Sequence, residues 1–197
     1  MGGAQGLDPK CNTVRLYTAQ TQVVRDILER EGVCHSREEF VARKYGESGP
    51  IFLTAYRWFV GAASKIVPPP PGASFPYWAF RDLYSVEGCG ADVLALDVPV
   101  DEAVFFDLYD WNKIVQLRFL GENEAQERAF RRELRDRGLT ENDVMLTAFH
   151  PELKEQTLAS WQRLFRSHEA IKAGDLSGVG GVQAGLWQLK KEWIVKP

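Results

Sequence analysis

Gln183 is a polar amide at the head of an apolar run, VQAGLW, directly after a connector of Gly, Ser and Val that spans 174–181. An amide placed there bonds either a ligand hydroxyl or a neighbouring backbone group, and the sequence leaves both readings open. Near the other end of the chain, Val14 to Gln20 (VRLYTAQ) gathers Arg15, Tyr17, Thr18 and Gln20 in one strand-like stretch. It runs straight into Thr21 and a helix. A strand-to-helix junction of this kind points its last strand residues and the first helical N–H groups into a crevice, which suits an anionic or nucleotide ligand. An ordinary first strand with no ligand is the plainer account of the same residues.

The remaining chemical candidates are weaker. Asp107 and Asp110 lie close together beside Trp111 and Asn112, where a strand should turn into a helix; capping by Asp110 competes with an acid or base role. Trp78 and Trp111 offer rings that could stack a base or a nicotinamide, but aromatics at alternating or helical positions usually belong to a core. His35, His150 and His168 have no second His or Cys at ligand spacing, so no metal site is expected. No Walker A, GxGxxG, HExxH or GxSxG pattern occurs.

Composition narrows the class. Of the 197 residues, 45% are hydrophobic and 12% aromatic, with six Trp and eleven Phe, enough to fill one core. A formal net charge of -3 argues against a general polyanion binder, although Arg131, Arg132, Arg135, Lys190 and Lys191 leave room for a local basic patch. Cys11, Cys34 and Cys89 are widely spaced and suggest neither disulfides nor zinc, so a reducing cytoplasm is the expected location. No run of about 18 apolar residues predicts a membrane span, and MGGAQGLDPK lacks the pattern of a secretory signal.

The elements that must position these residues follow from periodicity. Residues 1–12 read as a loose tail, and 13–197 as one α+β domain with a helical insertion at about 122–170. Alternation predicts strands at Val14–Gln20, Phe75–Leu83, Asp92–Val98 and Ala103–Asp107, and a strand, turn and short closing strand from Val182. Helical spacing predicts a helix after a Thr21 cap that stops at Gly32, a short helix over Ser36–Ser48, and a long one over Ile51–Val67 that ends at four prolines. Further helices are expected after Asp110, over Glu122–Arg137, from Thr140, and from Pro151. Val144–Phe149 is ambiguous between helix and strand. The first and last strands are expected to lie side by side and share a nucleotide-sized mouth.

Several blocks together resemble the domain of unknown function numbered thirty-eight forty-one: LYTAQ at 16–20, AYRWFV at 55–60, FPYWAF at 75–80, the run 98–120, SWQRLF at 160–165 and QAGLWQLKKEWI at 183–194. Trp111-Asn112 stands where that family often has Trp-His. LYTAQ, DILEREG and the closing QAGLWQLKKEWIV also resemble, more faintly, the ADP-ribosyltransferase superfamily. That likeness implies a split, mixed or antiparallel sheet with flanking helices, NAD as ligand, and ADP-ribose transfer to a protein or nucleic-acid acceptor, as in bacterial conflict or toxin systems. It implies catalytic roles at Gln183, Thr18 and Tyr56, and NAD contacts at Arg15, Tyr17, Gln20 and Trp78. Thr18 and Gln183 replace the superfamily's His and Glu, and Gln supplies neither negative charge nor a base. The alternative is a non-catalytic protein-interaction module with a degenerate nucleotide pocket.

Overall fold

The computed structural model describes residues 12–36, 49–86 and 92–195. The N-terminal tail up to residue 11, the turn at Gly88 and Gly90, and all but the first residue of the helix expected over Ser36–Ser48 fall outside that description; Ser36 itself makes an antiparallel bridge to Phe75. β1 (Thr13–Gln20) has the expected alternation, with Val14, Leu16 and Thr18 buried and Arg15 exposed. α1 (Gln22–Glu31) follows and stops at Gly32, whose φ of 76° lets its N–H bond the Leu28 carbonyl. Thr21 precedes this helix in extended conformation, yet its hydroxyl does not cap it. After β2 (Val33–His35), α2 (Gly49–Ala63) ends before the expected Val67. Its last turn tightens into Lys65 N–H to Ala62 and Ile66 N–H to Ala63 bonds ahead of the prolines.

β3 (Tyr77–Phe80) is shorter than its sequence pattern, because Pro76 has no N–H to donate and a tight turn begins at Leu83. β4 (Asp92–Pro99) and β5 (Ala103–Asp107) match expectation closely. Between β5 and β6 (Val182–Leu186) run α3 (Leu108–Val115), α4 (Glu124–Asp136), α5 (Glu141–Met145), α6 (Pro151–Trp161) and α7 (His168–Lys172). The cap of α3 is Asp107, not Asp110: Asp107 Oδ1 accepts from the N–H groups of Tyr109 and Asp110. Thr140 and Asp143 form a reciprocal capping box on α5, which resolves the start of the ambiguous stretch as helix. At five residues, α7 is too short to leave a periodic signature.

The main sheet has the order β4-β1-β3-β6-β5, and all neighbours are antiparallel. The expected pairing of the first and last strands is therefore corrected, because β3 lies between β1 and β6. One edge of β1 is taken by an eight-residue ladder to β4, from Thr13 opposite Pro99 to Gln20 opposite Asp92. Its other edge pairs Tyr17 with Phe80. The closing strand β7 (Gln188–Lys190) leaves this sheet to pair with β2 in a two-stranded ribbon.

Residues directly opposite each other share a face of the sheet, so register sorts the side chains. One face, aliphatic, carries Val14, Leu16, Leu94, Leu96, Val98, Ala79, Ala184 and Leu186, and packs with Leu28 of α1, Ile171 of α7 and Trp193. The other face, aromatic, carries Trp78, Phe80, Val104, Phe106 and Gln183. Its covered part lies under Tyr56 and Phe59 of α2 and Trp111 of α3. Phe59 meets Trp78, Phe106 and Trp111 edge-on at 5.0–5.3 Å between ring centres. Each such pair contributes about 0.5–1.5 kcal/mol beyond burial.

Two tests address this packing. A Cβ at Gly185 would sit 2.9 Å from Phe59 Cζ, so Gly185→Ala is expected to cost about 1–3 kcal/mol by overpacking, read as a lower urea midpoint. His168 is buried, and its Nδ1 accepts the Phe105 N–H at 3.0 Å. Desolvation holds its pKa below the ordinary 6.5, a shift Glu169 only partly opposes. The unfolded chain therefore takes up this proton first, and stability is lost as pH falls from 6.5 towards the native value. His168→Gln should show a smaller stability difference between about pH 7.5 and 5.5.

Candidate functional site

Across the aromatic face one row of side chains runs Ala95, Tyr17, Phe80, Gln183 and Phe106, each opposite the next. Phe106 is fully buried beneath the helices, whereas Phe80, Tyr17 and Ala95 are half-buried. Among the described residues the helical coat thus ends part-way across the sheet. At its margin stands Gln183, only 3% exposed, with its side-chain oxygen Oε1 unpartnered among the described residues. A buried acceptor left without a donor costs about 1–3 kcal/mol, and native interiors leave few of them.

Arg15 belongs to the same face, two residues along β1 from Tyr17. Strand spacing puts the Arg15 and Gln183 backbones about 12 Å apart. Its guanidinium reaches Asp97 with two bonds, Nε to Oδ1 at 2.6 Å and Nη2 to Oδ2 at 3.1 Å. Asp97, and to a lesser degree Tyr17, raises the Arg15 pKa above its ordinary value. With side chains 40% and 44% exposed, the pair is worth at most about 1 kcal/mol, so an anion can compete for the guanidinium.

The structure brings together five of the seven residues singled out from sequence and separates two. Tyr56 rises from α2 to meet Trp78, whose indole N–H donates to the Tyr56 hydroxyl at 2.8 Å; their rings stand edge-on at 5.2 Å. Trp78 lies opposite Gly185, one face-step along from Gln183. Arg15, Tyr17, Tyr56, Trp78 and Gln183 thus all lie on or over the aromatic side. Thr18 and Gln20 face the aliphatic side. Thr18 donates to the Trp78 carbonyl at 2.7 Å and accepts from Gln20 Nε2 at 2.8 Å. Thr18 is 1% exposed, so its hydroxyl is committed to holding β1 against β3. Thr18, Tyr56 and Gln183 do not line one cavity.

The carboxylates behave as framework. Asp107 also accepts the Gly180 N–H through Oδ2, which ties the 174–181 connector to the start of α3. Asp110 accepts from Arg166 at 2.8 Å; burial raises its pKa against the pull of Arg166 and Lys113. Trp111 is 4% exposed and belongs to the core. Sequence reasoning passed over Phe80, which bridges Tyr17 and Gln183; its signal was membership of FPYWAF at alternating phase with Tyr77. Among the described residues, no group of three or more His, Cys, Asp or Glu could hold a metal, and no helix is long and apolar enough to cross a membrane.

The chain is thus α+β, with an antiparallel sheet coated by helices, and among the described residues one buried side-chain acceptor without a partner stands at the edge of that coat. The chain belongs to the family described as Domain of unknown function (DUF3841), which it matches over residues 15–195. No curated protein and no solved structure matches it.

The orphaned acceptor gives a direct test. Gln183→Leu keeps the volume and removes the unpaired oxygen, so the unliganded protein should gain roughly 1 kcal/mol or at least lose nothing, measured by urea unfolding. A clear loss of stability would mean that the amide serves the fold.

Proposed function

We propose that the chain binds NAD across β1, β3 and β6 on the aromatic face, as an ADP-ribosyltransferase-like protein whose natural acceptor is a macromolecule, in keeping with a bacterial conflict or toxin role. The observation that carries this reading is the unpartnered Oε1 of Gln183, buried in the same row as Tyr17 and Phe80. A carbonyl oxygen without a donor fits a ribose hydroxyl, which donates one. Two half-buried rings, Phe80 and Tyr17, running outward from a polar acceptor suit a flat, partly polar ligand, and Arg15, whose backbone lies about 12 Å from that of Gln183, suits a pyrophosphate.

Transfer would break the bond between the nicotinamide nitrogen and the ribose and form a bond from that ribose carbon to an acceptor atom. Nicotinamide would leave with the bonding electrons and the acceptor would release its proton. Gln183 would hold the hydroxyl and orient the ribose. It adds no negative charge beside the developing cation and cannot take the acceptor's proton. Binding with slow transfer follows, and a carboxylate at 183 should speed the reaction.

Thermal unfolding with added NAD tests the reading. Saturation at about 100 times the dissociation constant should stabilise the protein by about 2.7 kcal/mol, and Gln183→Leu should abolish most of that gain. Gln183→Glu should bind NAD and release nicotinamide faster than the parent chain. Absence of any stabilisation at millimolar NAD overturns the proposal.

A further inference from the structure

The basic stripe of α4 takes no part in the site on the sheet. Arg128, Arg131, Arg132 and Arg135 stand at positions i, i+3, i+4 and i+7, and together line a depression of about 360 Å³. Arg128 pairs with Glu124 at 2.8 Å, both side chains being exposed. Arg131 turns its Nε towards the Glu127 carbonyl at 3.5 Å. Among the described residues, Arg131, Arg132 and Arg135 form no ion pair, while neighbouring carboxylates on α4 are spent elsewhere: Glu127 on Lys113 at 2.7 Å and Glu133 on Arg137 at 2.6 Å. Like charges three or four residues apart on a helix repel. A chain of net charge -3 therefore lines up unpaired cations against its own stability.

The chemistry of the stripe favours phosphate. All four cations are arginines, whose planar fork matches two oxygens of one phosphate. At about 1.5 Å rise per residue, Arg128 to Arg135 spans about 10.5 Å. That reach equals the axial rise of about three nucleotides of a duplex strand, at about 3.4 Å each. A second depression, of about 290 Å³, adjoins through Arg131 and adds Lys113 and Arg118 to its rim, alongside Glu124, Glu127 and Glu141. We propose that the α4 stripe docks the sugar–phosphate backbone of a nucleic acid, without reading its sequence. An acidic peptide carries its charges on separate flexible arms and does not match a rigid line of forks in the same way.

The experiment is fluorescence anisotropy of the full chain with a labelled 20-nucleotide single-stranded DNA and with its duplex, without NAD. Four phosphate contacts should weaken affinity about 50- to 150-fold between 50 and 200 mM salt. Arg131→Gln/Arg132→Gln/Arg135→Gln should lose most of this salt dependence and bind at least tenfold more weakly, with Tm unchanged or raised because the repulsion is relieved. Should that variant unfold, Arg132→Gln alone should lower the log–log salt slope by about 0.7–0.9. Lys190 and Lys191 are paired with Glu102 and Glu29, so Lys190→Gln/Lys191→Gln should bind like the parent. No binding at 50 mM salt, binding indifferent to salt, unchanged binding by the triple variant, or equal competition by poly-glutamate and unlabelled DNA at matched charge would each overturn the proposal.

Discussion

A pleated strand sends successive side chains to opposite faces and can show none of them to both. In this protein β1 lies second in a five-stranded sheet, with both edges paired, so its register cannot slip without turning Leu16 out of one core and Tyr17 into it. That constraint decides which polar groups meet. Arg15 and Tyr17 stand with Gln183 and Phe80, and Thr18 and Gln20 are sent to the far side. The hydroxyl of Thr18, bonded to the Trp78 carbonyl, closes the join between β1 and β3 from beneath.

The two faces are coated differently, and the difference leaves Gln183 at the margin of one coat. On the aliphatic side, branched residues of β1 and β4 interlock with α1, α7 and Trp193. On the aromatic side, Phe59 sits at the centre of a ring cluster that includes Trp78, Phe106 and Trp111, and Gly185 is small enough to let that ring touch the sheet backbone. The cluster covers β5, β6 and the near half of β3. Its margin falls at Phe80 and Gln183, which places a buried amide oxygen next to half-covered rings.

The helical segment between β5 and β6 does more than complete the core. α3 is locked to the sheet through Asp107, whose two oxygens hold the first turn of the helix and the Gly180 backbone together. Because Gly180 precedes β6 so closely, the same carboxylate steadies the approach to Gln183. α4 is anchored by Phe130 and Leu134, with Phe130 stacked on Phe119 at 4.5 Å. Its arginine stripe is thereby turned away from the core.

Periodicity alone determined most of the elements: the alternation of β1 and β4, the Gly32 stop, the Thr140–Asp143 box, the helix from Pro151 and the α+β class are all local patterns whose physics lies within a few residues. The family resemblance, likewise, was legible in blocks of contiguous sequence. Only the tertiary structure decided that β3 separates β1 from β6, that Asp107 and not Asp110 caps α3, and that Thr18 and Gln183 face opposite ways. Each of those outcomes rests on which strand edge or backbone donor is nearest in space, a competition among residues far apart in the chain. The same reason hid the unpaired oxygen of Gln183, since whether a buried amide finds a partner depends on everything packed around it and not on its neighbours in sequence.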